Sequence, residues 1–375
     1  MLTSEQIYII KLIRLSFDVD SNDPKLTDLL DKEILTSIIL KNSILPTVYG
    51  HLPDDLSKMM ESKYLSILHH SILQDYYGTQ VLNALGEAGF DCIALKGWVM
   101  RNLYSEKSNR QMGDIDILVR PYNYKEIKTV MEKLGFTAEK ESSWMHDNFA
   151  FKNVLIEMHK RLTDDSDVIQ LWENDMWQRV RNVNEHECAM SPEDFFIFHI
   201  IHMHKDFLNG SLGLRRIIDT WLLTKQGFNL EFVMNESKKM GIDVFCEKMI
   251  NLSKACMGEV EITEEMEILL RHSFQHGIYG TEISYKAGRI ATMGDSLKKG
   301  KTRSLISAVF LPFKRMKAQF PVLKKHPVLL PFCWLKRIVG LLSFALKNKE
   351  MLNYNNISEK EYEEMRAFLK AGGCL

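Results

Sequence analysis

The most constraining feature of this sequence is a seven-residue run, Gly113 to Val119, in which carboxylates alternate with branched apolar residues. Successive side chains of a strand point to opposite faces, so Asp114 and Asp116 are predicted on one face, and Ile115, Ile117 and Val119 on the other. Two carboxylates about 7 Å apart along a strand repel each other unless a cation lies between them. The alternation therefore predicts a half-buried strand that carries a cation-binding pair.

Short apolar stretches and turn residues predict further elements around this run. Phe90 to Leu95 is typical of a strand that ends at a tight turn, Lys96-Gly97. Pro121 is predicted to open a helix that Gly135 closes. Additional strands are predicted near 136–139, 144–151 and 153–159.

Apolar residues at helical spacing occupy most of the remaining chain. The pattern predicts an α+β fold, in which a small mixed-sheet core is flanked by N-terminal and C-terminal helical regions. We expect four segments: an N-terminal helical unit at 1–85, the sheet core at 86–165, a C-terminal helical domain at 166–297, and a basic helical segment with interleaved apolar residues at 298–375.

A third carboxylate, Glu157, is predicted beside the pair, on a strand whose residues Ile156 and Met158 face the core. Such a set suits Mg²⁺, with Mn²⁺ as an alternative, because these ions take hard oxygen ligands and Mg²⁺ usually enters with phosphates. In two-metal phosphoryl chemistry, one ion activates the attacking oxygen and the other steadies the leaving pyrophosphate. His159 has three interpretations: it orients Glu157, contacts a nucleotide, or forms a structural hydrogen bond.

Candidate phosphate-binding residues lie beside the carboxylates in the sequence. Gly97 is predicted at the entry to a helix, where a glycine lets backbone N–H groups approach phosphate oxygens. Lys96 would supply a point charge, and Arg110 can hold phosphate through two parallel hydrogen bonds. Gly113, directly before the carboxylate pair, is grouped with these nucleotide-binding candidates.

The order of these motifs resembles that of the DNA polymerase β-like nucleotidyltransferase superfamily and, more closely, its uncharacterised nucleotidyltransferase family. The resemblance covers most of the chain, and its specific motifs are Ala94-Leu-Lys-Gly97, Arg110-Gln-Met-Gly-Asp-Ile-Asp-Ile-Leu-Val119 and Ile156-Glu-Met-His159. This sequence departs from the superfamily pattern in two ways: Lys-Gly replaces the usual Gly-Ser or Gly-Gly pair, and the third carboxylate lies in a Glu-x-His setting.

The resemblance implies metal binding by Asp114 and Asp116 and a phosphate contact at Gly97. We therefore expect a cytoplasmic transferase that moves a nucleoside monophosphate from an NTP, such as ATP, to an unidentified acceptor on a small molecule or a protein. Two alternatives stay open. One is a catalytically silent, nucleotide-binding regulatory protein, and the other is a toxin-like nucleotidyltransferase that acts on RNA.

The stretch from Lys298 to Lys349 contains thirteen Lys or Arg and no Asp or Glu, interleaved with aromatic and aliphatic residues. This composition suits an anionic membrane surface, RNA or another polyanion, or packing on the acidic remainder of the chain. Lys336 and Arg337 interrupt its most apolar part, so no transmembrane segment is predicted. The six cysteines lack a C-x-x-C pair and the N-terminus lacks a basic region, which favours the cytoplasm, with peripheral membrane association as an option.

Two features of the C-terminal helices have both structural and functional interpretations. His199 and His202 are spaced to share a metal or to pack as core histidines. Arg215 or Arg216 is predicted to pair with Asp219 within one helix, the alternative being a role in closing a nucleotide cleft.

Overall fold

The computed structural model of this 375-residue chain describes residues 1–20, 30–139, 145–162, 167–183, 187–347 and 356–375. These form two compact units. One comprises Met1–Lys205 and Leu212–Tyr279, and the other comprises Asp206–Ser211 and Gly280–Leu375. The division into four segments that the sequence suggests stays a prediction.

The N-terminal part of the first unit is helical, as predicted for residues 1–85. The Asp31 carboxylate accepts hydrogen bonds from the first two free backbone N–H groups of its helix, those of Glu33 and Ile34, which fixes where that helix begins. The helices are α1 (Ser4–Ser16), α2 (Lys32–Lys41), α3 (Leu45–Val48) and α4 (Asp54–Glu87).

A seven-stranded mixed sheet forms the centre of the first unit, in the order β3-β4-β5-β2-β1-β7-β6. The β2–β5 and β1–β7 pairs are parallel and the other neighbours are antiparallel. This architecture confirms the predicted α+β class. The strands are β1 (Asp91–Ala94), β2 (Ile115–Arg120), β3 (Thr137–Ala138), β4 (His146–Phe151), β5 (Val154–His159), β6 (Arg181–Asn182) and β7 (Glu187–Ala189).

One face of the sheet is apolar and packs against α4 and the helix α6 (Tyr124–Lys133). Ile115, Ile117 and Val119 of β2 point to this face and are almost fully buried, as the alternation predicts. The opposite face carries Asp116, and a short helix, α5 (Lys96–Met100), follows β1.

Three boundaries differ from those expected. Asp114 lies just before β2, which begins at Ile115. The helix predicted to open at Pro121 begins at Tyr124, because the Asn123 side chain caps it by accepting from Lys125 N. Strands β6 and β7 fall within the region predicted as helical after 165, and strands this short carry no periodic signal. Residue 144, at the start of one predicted strand, lies outside the described residues.

Around and after β6 and β7, the described residues up to 279 form six further helices. Gly227 and Gly241 have φ of +67° and +70°, and each lies shortly after the end of a helix, where glycine adopts the left-handed conformation without strain. The helices are α7 (Asp167–Met176), α8 (Pro192–Leu208), α9 (Leu214–Thr224), α10 (Leu230–Lys239), α11 (Asp243–Cys256) and α12 (Glu264–His276).

The second unit is built from helices. Phe207 and Phe368 pack with their ring centroids 4.1 Å apart, and the Tyr362 hydroxyl donates to the Gly294 carbonyl at 2.9 Å. Among helices in the described ranges, none has the length and apolar character needed to cross a bilayer. The helices here are α13 (Glu282–Met293), α14 (Leu297–Val309), α15 (Phe313–Gln319), α16 (Leu330–Lys347) and α17 (Glu359–Ala371).

Candidate active site

Three carboxylates meet on the polar face of the sheet. Asp116 in β2 and Glu157 in β5 are register partners on neighbouring parallel strands, so their side chains lie side by side. Asp114 approaches from the loop before β2. One oxygen from each of the three carboxylates lies within 4.8 Å of the others. The sequence therefore predicted this convergence, although it placed Asp114 inside the strand.

Two basic side chains contact the same oxygen of Asp116. Lys96 Nζ lies 2.5 Å from Oδ1 and His159 Nε2 lies 2.8 Å from it. His159 Nε2 is also 3.4 Å from Glu157 Oε2. Because the Asp116 side chain is only 2% exposed, its charge is compensated by these neighbours rather than by water.

The carboxylates differ in their electrostatic surroundings. Burial acts to raise the pKa of Asp116, but the Lys96 charge and the His159 hydrogen bond outweigh it and hold the pKa well below its usual range. Burial, and then the Asp116 charge, raise the pKa of Asp114 to about 6. Burial alone would lower the pKa of Lys96, yet the Asp116 and Asp114 carboxylates raise it. The carboxylate pair is therefore asymmetric: two basic side chains contact Asp116, whereas the Lys96 charge only partly offsets the burial of Asp114 and its repulsion from Asp116.

His146 in β4 joins the site and was missed in the sequence. It is the register partner of His159, and its Nδ1 lies 3.5 Å from Glu157 Oε2. His146, Glu157 and His159 form a second group whose ligand atoms all lie within 4.8 Å of one another. The strand containing His146 was predicted, but its pairing with β5 was not. Knowledge of that pairing would have placed His146 beside His159 and Glu157.

The Lys96-Gly97 turn is shaped by close packing. Lys96 has φ of +40°, in the left-handed region that disfavours side chains with a Cβ. A Cβ added to Gly97 would lie 2.7 Å from Arg110 Nη1 and 2.8 Å from Met112 Sδ, so only glycine fits there. The structure thus gives Gly97 a packing role. Its predicted contact with phosphate stays a prediction.

Arg110 forms a buried, two-pronged ion pair with Asp219 of α9. Its Nε and Nη2 donate to the two Asp219 oxygens at 2.9 and 2.7 Å, and the Tyr104 hydroxyl donates to Oδ1 at 2.8 Å. This corrects the expected pairing of Asp219 within its own helix. A phosphate contact by Arg110 stays a prediction, and it would use the N–H groups that Asp219 does not engage, such as those of Nη1.

The remaining sequence candidates lie at other positions. Gly113 is exposed, and its carbonyl accepts from Gln74 Nε2 at 3.3 Å. His199 Nε2 lies 2.9 Å from the Thr220 hydroxyl. Within the ranges that the structure describes, neither His199 nor His202 belongs to a group of potential metal ligands, so a shared metal at these two residues is not supported.

An open pocket of about 420 Å³ lies at the end of β2. Arg120, which lines it, alternates with the core residues of β2 and so points to the same face as Asp116. Lys160 and Arg161, directly after β5, add positive charge, and Tyr122 and Trp177 add aromatic surface. These cations were not predicted as site residues, because a basic residue that follows a strand forms no recognisable sequence motif.

Comparisons with known proteins bear on this site. The profile of a family described as "Uncharacterised nucleotidyltransferase" matches residues 20–258, which include every residue of the carboxylate group. Among solved structures, the chain is similar to the antibiotic-resistance factor ANT(2'')-Ia, with 15% identity and a TM-score of 0.35 over 46% of this chain and 92% of that chain. No curated protein matches the sequence.

Proposed function

This chain belongs to the uncharacterised nucleotidyltransferase family, and from that premise we propose that it moves a nucleoside monophosphate from a nucleoside triphosphate to an acceptor hydroxyl or phosphate. The observation that supports this most directly is the convergence of Asp114, Asp116 and Glu157, with oxygens within 4.8 Å of one another on the polar face of the sheet. The acceptor is a small molecule or a protein.

The donor set fits Mg²⁺, with Mn²⁺ as the alternative. All three groups are carboxylates, which these hard cations prefer. Burial and then repulsion from Asp116 raise the pKa of Asp114, and a divalent cation would relieve that repulsion. Asp114, Asp116 and Glu157 would hold the ion. When bound, it would supply positive charge to the attacking oxygen and the leaving pyrophosphate.

The other residues bind, orient and move protons. An acceptor oxygen attacks the α-phosphorus, the bond to the bridging oxygen breaks, and pyrophosphate leaves. Glu157 either takes the acceptor proton or serves as a ligand, and His159, 3.4 Å away, orients it. The Lys96 ammonium group contacts Asp116 and is the cation nearest to the carboxylates. When the nucleotide binds, this group leaves Asp116 and contacts a phosphate oxygen instead.

The cationic pocket at the end of β2 extends this proposal. Arg120, Lys160 and Arg161 line this pocket together with one acidic residue, Glu173, and Lys160 is ion-paired with Asp147 at 3.0 Å. The net positive charge of the lining therefore rests on Arg120 and Arg161. Positive charge in a cleft raises the local concentration of anions. We assign the pocket to the triphosphate or to an anionic acceptor.

Incubation of the protein with α-labelled NTPs and a cell lysate tests the function. We expect Mg²⁺-dependent label on a small molecule or a protein, and none with the Asp116→Asn variant or after chelation. Asp91→Asn, which removes an exposed carboxylate from the neighbouring strand β1, is the matched control and should label normally. Label on RNA would indicate the toxin-like alternative, and NTP binding without transfer would indicate the catalytically silent one.

Glu157→Gln provides a second test, because it preserves shape and removes the charge. We expect turnover to fall at least about a hundredfold, within the range for loss of a catalytic acid or base. A variant with wild-type turnover would remove Glu157 from the assignment while leaving the family membership intact.

A further inference from the structure

The second unit exposes a concentrated set of large apolar side chains. In soluble proteins such residues are usually exposed singly, and contiguous exposed patches mark interaction sites. Between residues 305 and 339, the exposed large apolar residues are Leu305, Ile306, Phe310, Phe313, Val322, Val328, Phe332, Leu335 and Val339. This stretch lies inside the basic segment identified in the sequence.

The exposed apolar residues of helix α16 are not needed for the packing of the helix within the second unit. Its inner side supplies Cys333 and Trp334 to a small core cluster with Met316 and Leu323. Trp334 Nε1 also donates to the Leu311 carbonyl at 3.3 Å. The helix therefore already has an apolar side that packs within the unit, and its other side has no such role in the described residues.

The other side of α16 is apolar as well. Phe332, Leu335 and Val339 are 67%, 59% and 66% exposed. Their spacing of i, i+3 and i+7 places them on one side of the helix, together with Lys336 at i+4. We call these four residues the outward face of α16.

The segment of sequence that contains this face carries charge of one sign. No Asp or Glu occurs from residue 298 to 349, where thirteen Lys or Arg are found. In the described part of the chain, Lys324, Lys325 and Lys336 are exposed and form no ion pair. Lys299, in contrast, pairs with Asp295 at 3.1 Å, so the argument against neutralisation of the chain's own acidic residues applies to these three lysines and not to the whole basic segment.

Physical chemistry distinguishes the partners that such a surface suits. A second copy that docked through the same face would bring like charges together, which is unfavourable. Nucleic acid would engage the lysines and could stack on Phe332, but it gains nothing from the exposed Leu335 and Val339, since single strands bind by stacking on aromatic rings. An anionic bilayer satisfies both features, because lysines meet the headgroups while apolar side chains enter the acyl boundary.

We propose that the outward face of α16, together with Lys324 and Lys325, docks the protein on an anionic membrane surface. The helix lies in the plane of the interface, consistent with the finding that no described helix can cross the bilayer. This property is separate from nucleotidyl transfer, so either can fail without the other.

Co-sedimentation of the full chain with vesicles tests the proposal. We expect binding to vesicles of phosphatidylcholine with about 30% phosphatidylserine, weaker binding to pure phosphatidylcholine, and a decline as salt shortens the Debye length. Each lysine near an anionic surface contributes about fivefold to partitioning, so the triple variant Lys324→Ser, Lys325→Ser, Lys336→Ser should bind about a hundredfold more weakly.

A second variant separates the apolar contribution. Phe332→Ser, Leu335→Ser, Val339→Ser should lose the part of the binding that persists at high salt. The matched control, Met59→Ser, Leu65→Ser, Ile72→Ser, replaces residues of α4 that are 54%, 53% and 59% exposed and should bind like the wild type. Because all six positions are exposed, the variants are expected to keep the wild-type melting temperature.

Three outcomes would overturn the proposal. One is the absence of salt-dependent binding to acidic vesicles. Another is displacement from vesicles by RNA together with tighter binding to RNA than to lipid. The third is a dimer that the apolar variant dissociates, with no vesicle binding by the wild type.

Discussion

Asp116 and Asp114 are neighbours with the same chemistry, yet their surroundings predict opposite effects on stability. Asp116→Asn leaves Lys96 and His159 facing an uncharged amide, which should cost about 2 kcal/mol of unfolding free energy. Asp114→Asn removes the carboxylate whose pKa is raised to about 6, and should stabilise the metal-free protein by about 1 kcal/mol. Urea unfolding in the presence of a chelator measures both changes.

Both substitutions should abolish nucleotidyl transfer, so activity and stability must be measured on the same preparations. If Asp116→Asn melts at or above the wild type, then Lys96 and His159 do not compensate that carboxylate in solution. Equal stabilities for the two variants would contradict the asymmetry of the pair.

Lys96 combines a functional side chain with a backbone conformation that suits glycine. Lys96→Ala and Lys96→Gly both remove the ammonium group, but only glycine adopts φ of +40° without strain. We therefore expect the glycine variant to be about 1 kcal/mol more stable than the alanine variant in thermal or urea unfolding. Both should bind NTP more weakly than the wild type. An alanine variant as stable as the glycine variant would show that this turn relaxes at no cost.

At the scale of elements, local patterns predicted the strands and left their distant partners undetermined. The alternation in β2 and β5 placed Asp116 and Glu157 on polar faces, and parallel pairing makes them neighbours. Helical spacing favours partners three or four residues apart, so the sequence predicted a partner for Asp219 within its own helix. It could not show that Asp219 pairs with Arg110, 109 positions away. His146 was missed for a related reason: its strand was recognised, but its register against β5 was not.

The Arg110–Asp219 pair links the loop before β2 to helix α9 in the interior, which predicts strong coupling. Arg110→Met leaves a buried carboxylate without its partner and should destabilise the protein by about 3 to 5 kcal/mol. Adding Asp219→Leu removes that charge and should restore much of the loss. A double-mutant cycle from denaturant unfolding measures the coupling.

The same cycle tests the phosphate role of Arg110. If the pair is structural, the double variant should keep a large share of its NTP affinity along with its recovered stability. Full stability with no NTP binding would instead support the original prediction that Arg110 contacts phosphate. Additive free energies would mean that Arg110 and Asp219 do not interact in solution.

On the scale of the whole molecule, charge is distributed unevenly. The chain holds 48 basic and 49 acidic residues, so the thirteen basic residues of 298–349 leave 35 basic and 49 acidic residues elsewhere. The asymmetry is visible in the sequence, which leaves three partners open: an anionic membrane, RNA or another polyanion, and the acidic remainder of the chain. The exposure of the outward face of α16 favours one of them, because burial is a property of the folded unit that composition does not encode.

Buried histidines give the stability of the molecule a defined dependence on pH. Burial is the main cause that lowers the pKa of His199 to about 4 and the pKa of His202 well below its usual range, with nearby Arg216 contributing at both. In each case the folded state binds its proton less readily than the unfolded chain, whose histidines titrate near 6.5. The contribution of His199 is therefore complete above about pH 6.5 and is lost as the pH falls from there towards 4.

The magnitude follows from linkage. Each histidine that is neutral in the folded state and charged in the unfolded state lowers the unfolding free energy by at most about 1.4 kcal/mol for each unit by which the pH falls within this window. We expect the unfolding free energy of His199→Gln, which can still form a hydrogen bond with the Thr220 hydroxyl, to depend less steeply on pH between 6 and 5 than that of the wild type. The difference should approach one such contribution. Urea unfolding at several pH values measures the slopes, and His69→Gln, at an exposed position, sets the background. Identical slopes for wild type and His199→Gln would mean that His199 takes up its proton equally in both states, and that its burial does not control the acid sensitivity of the fold.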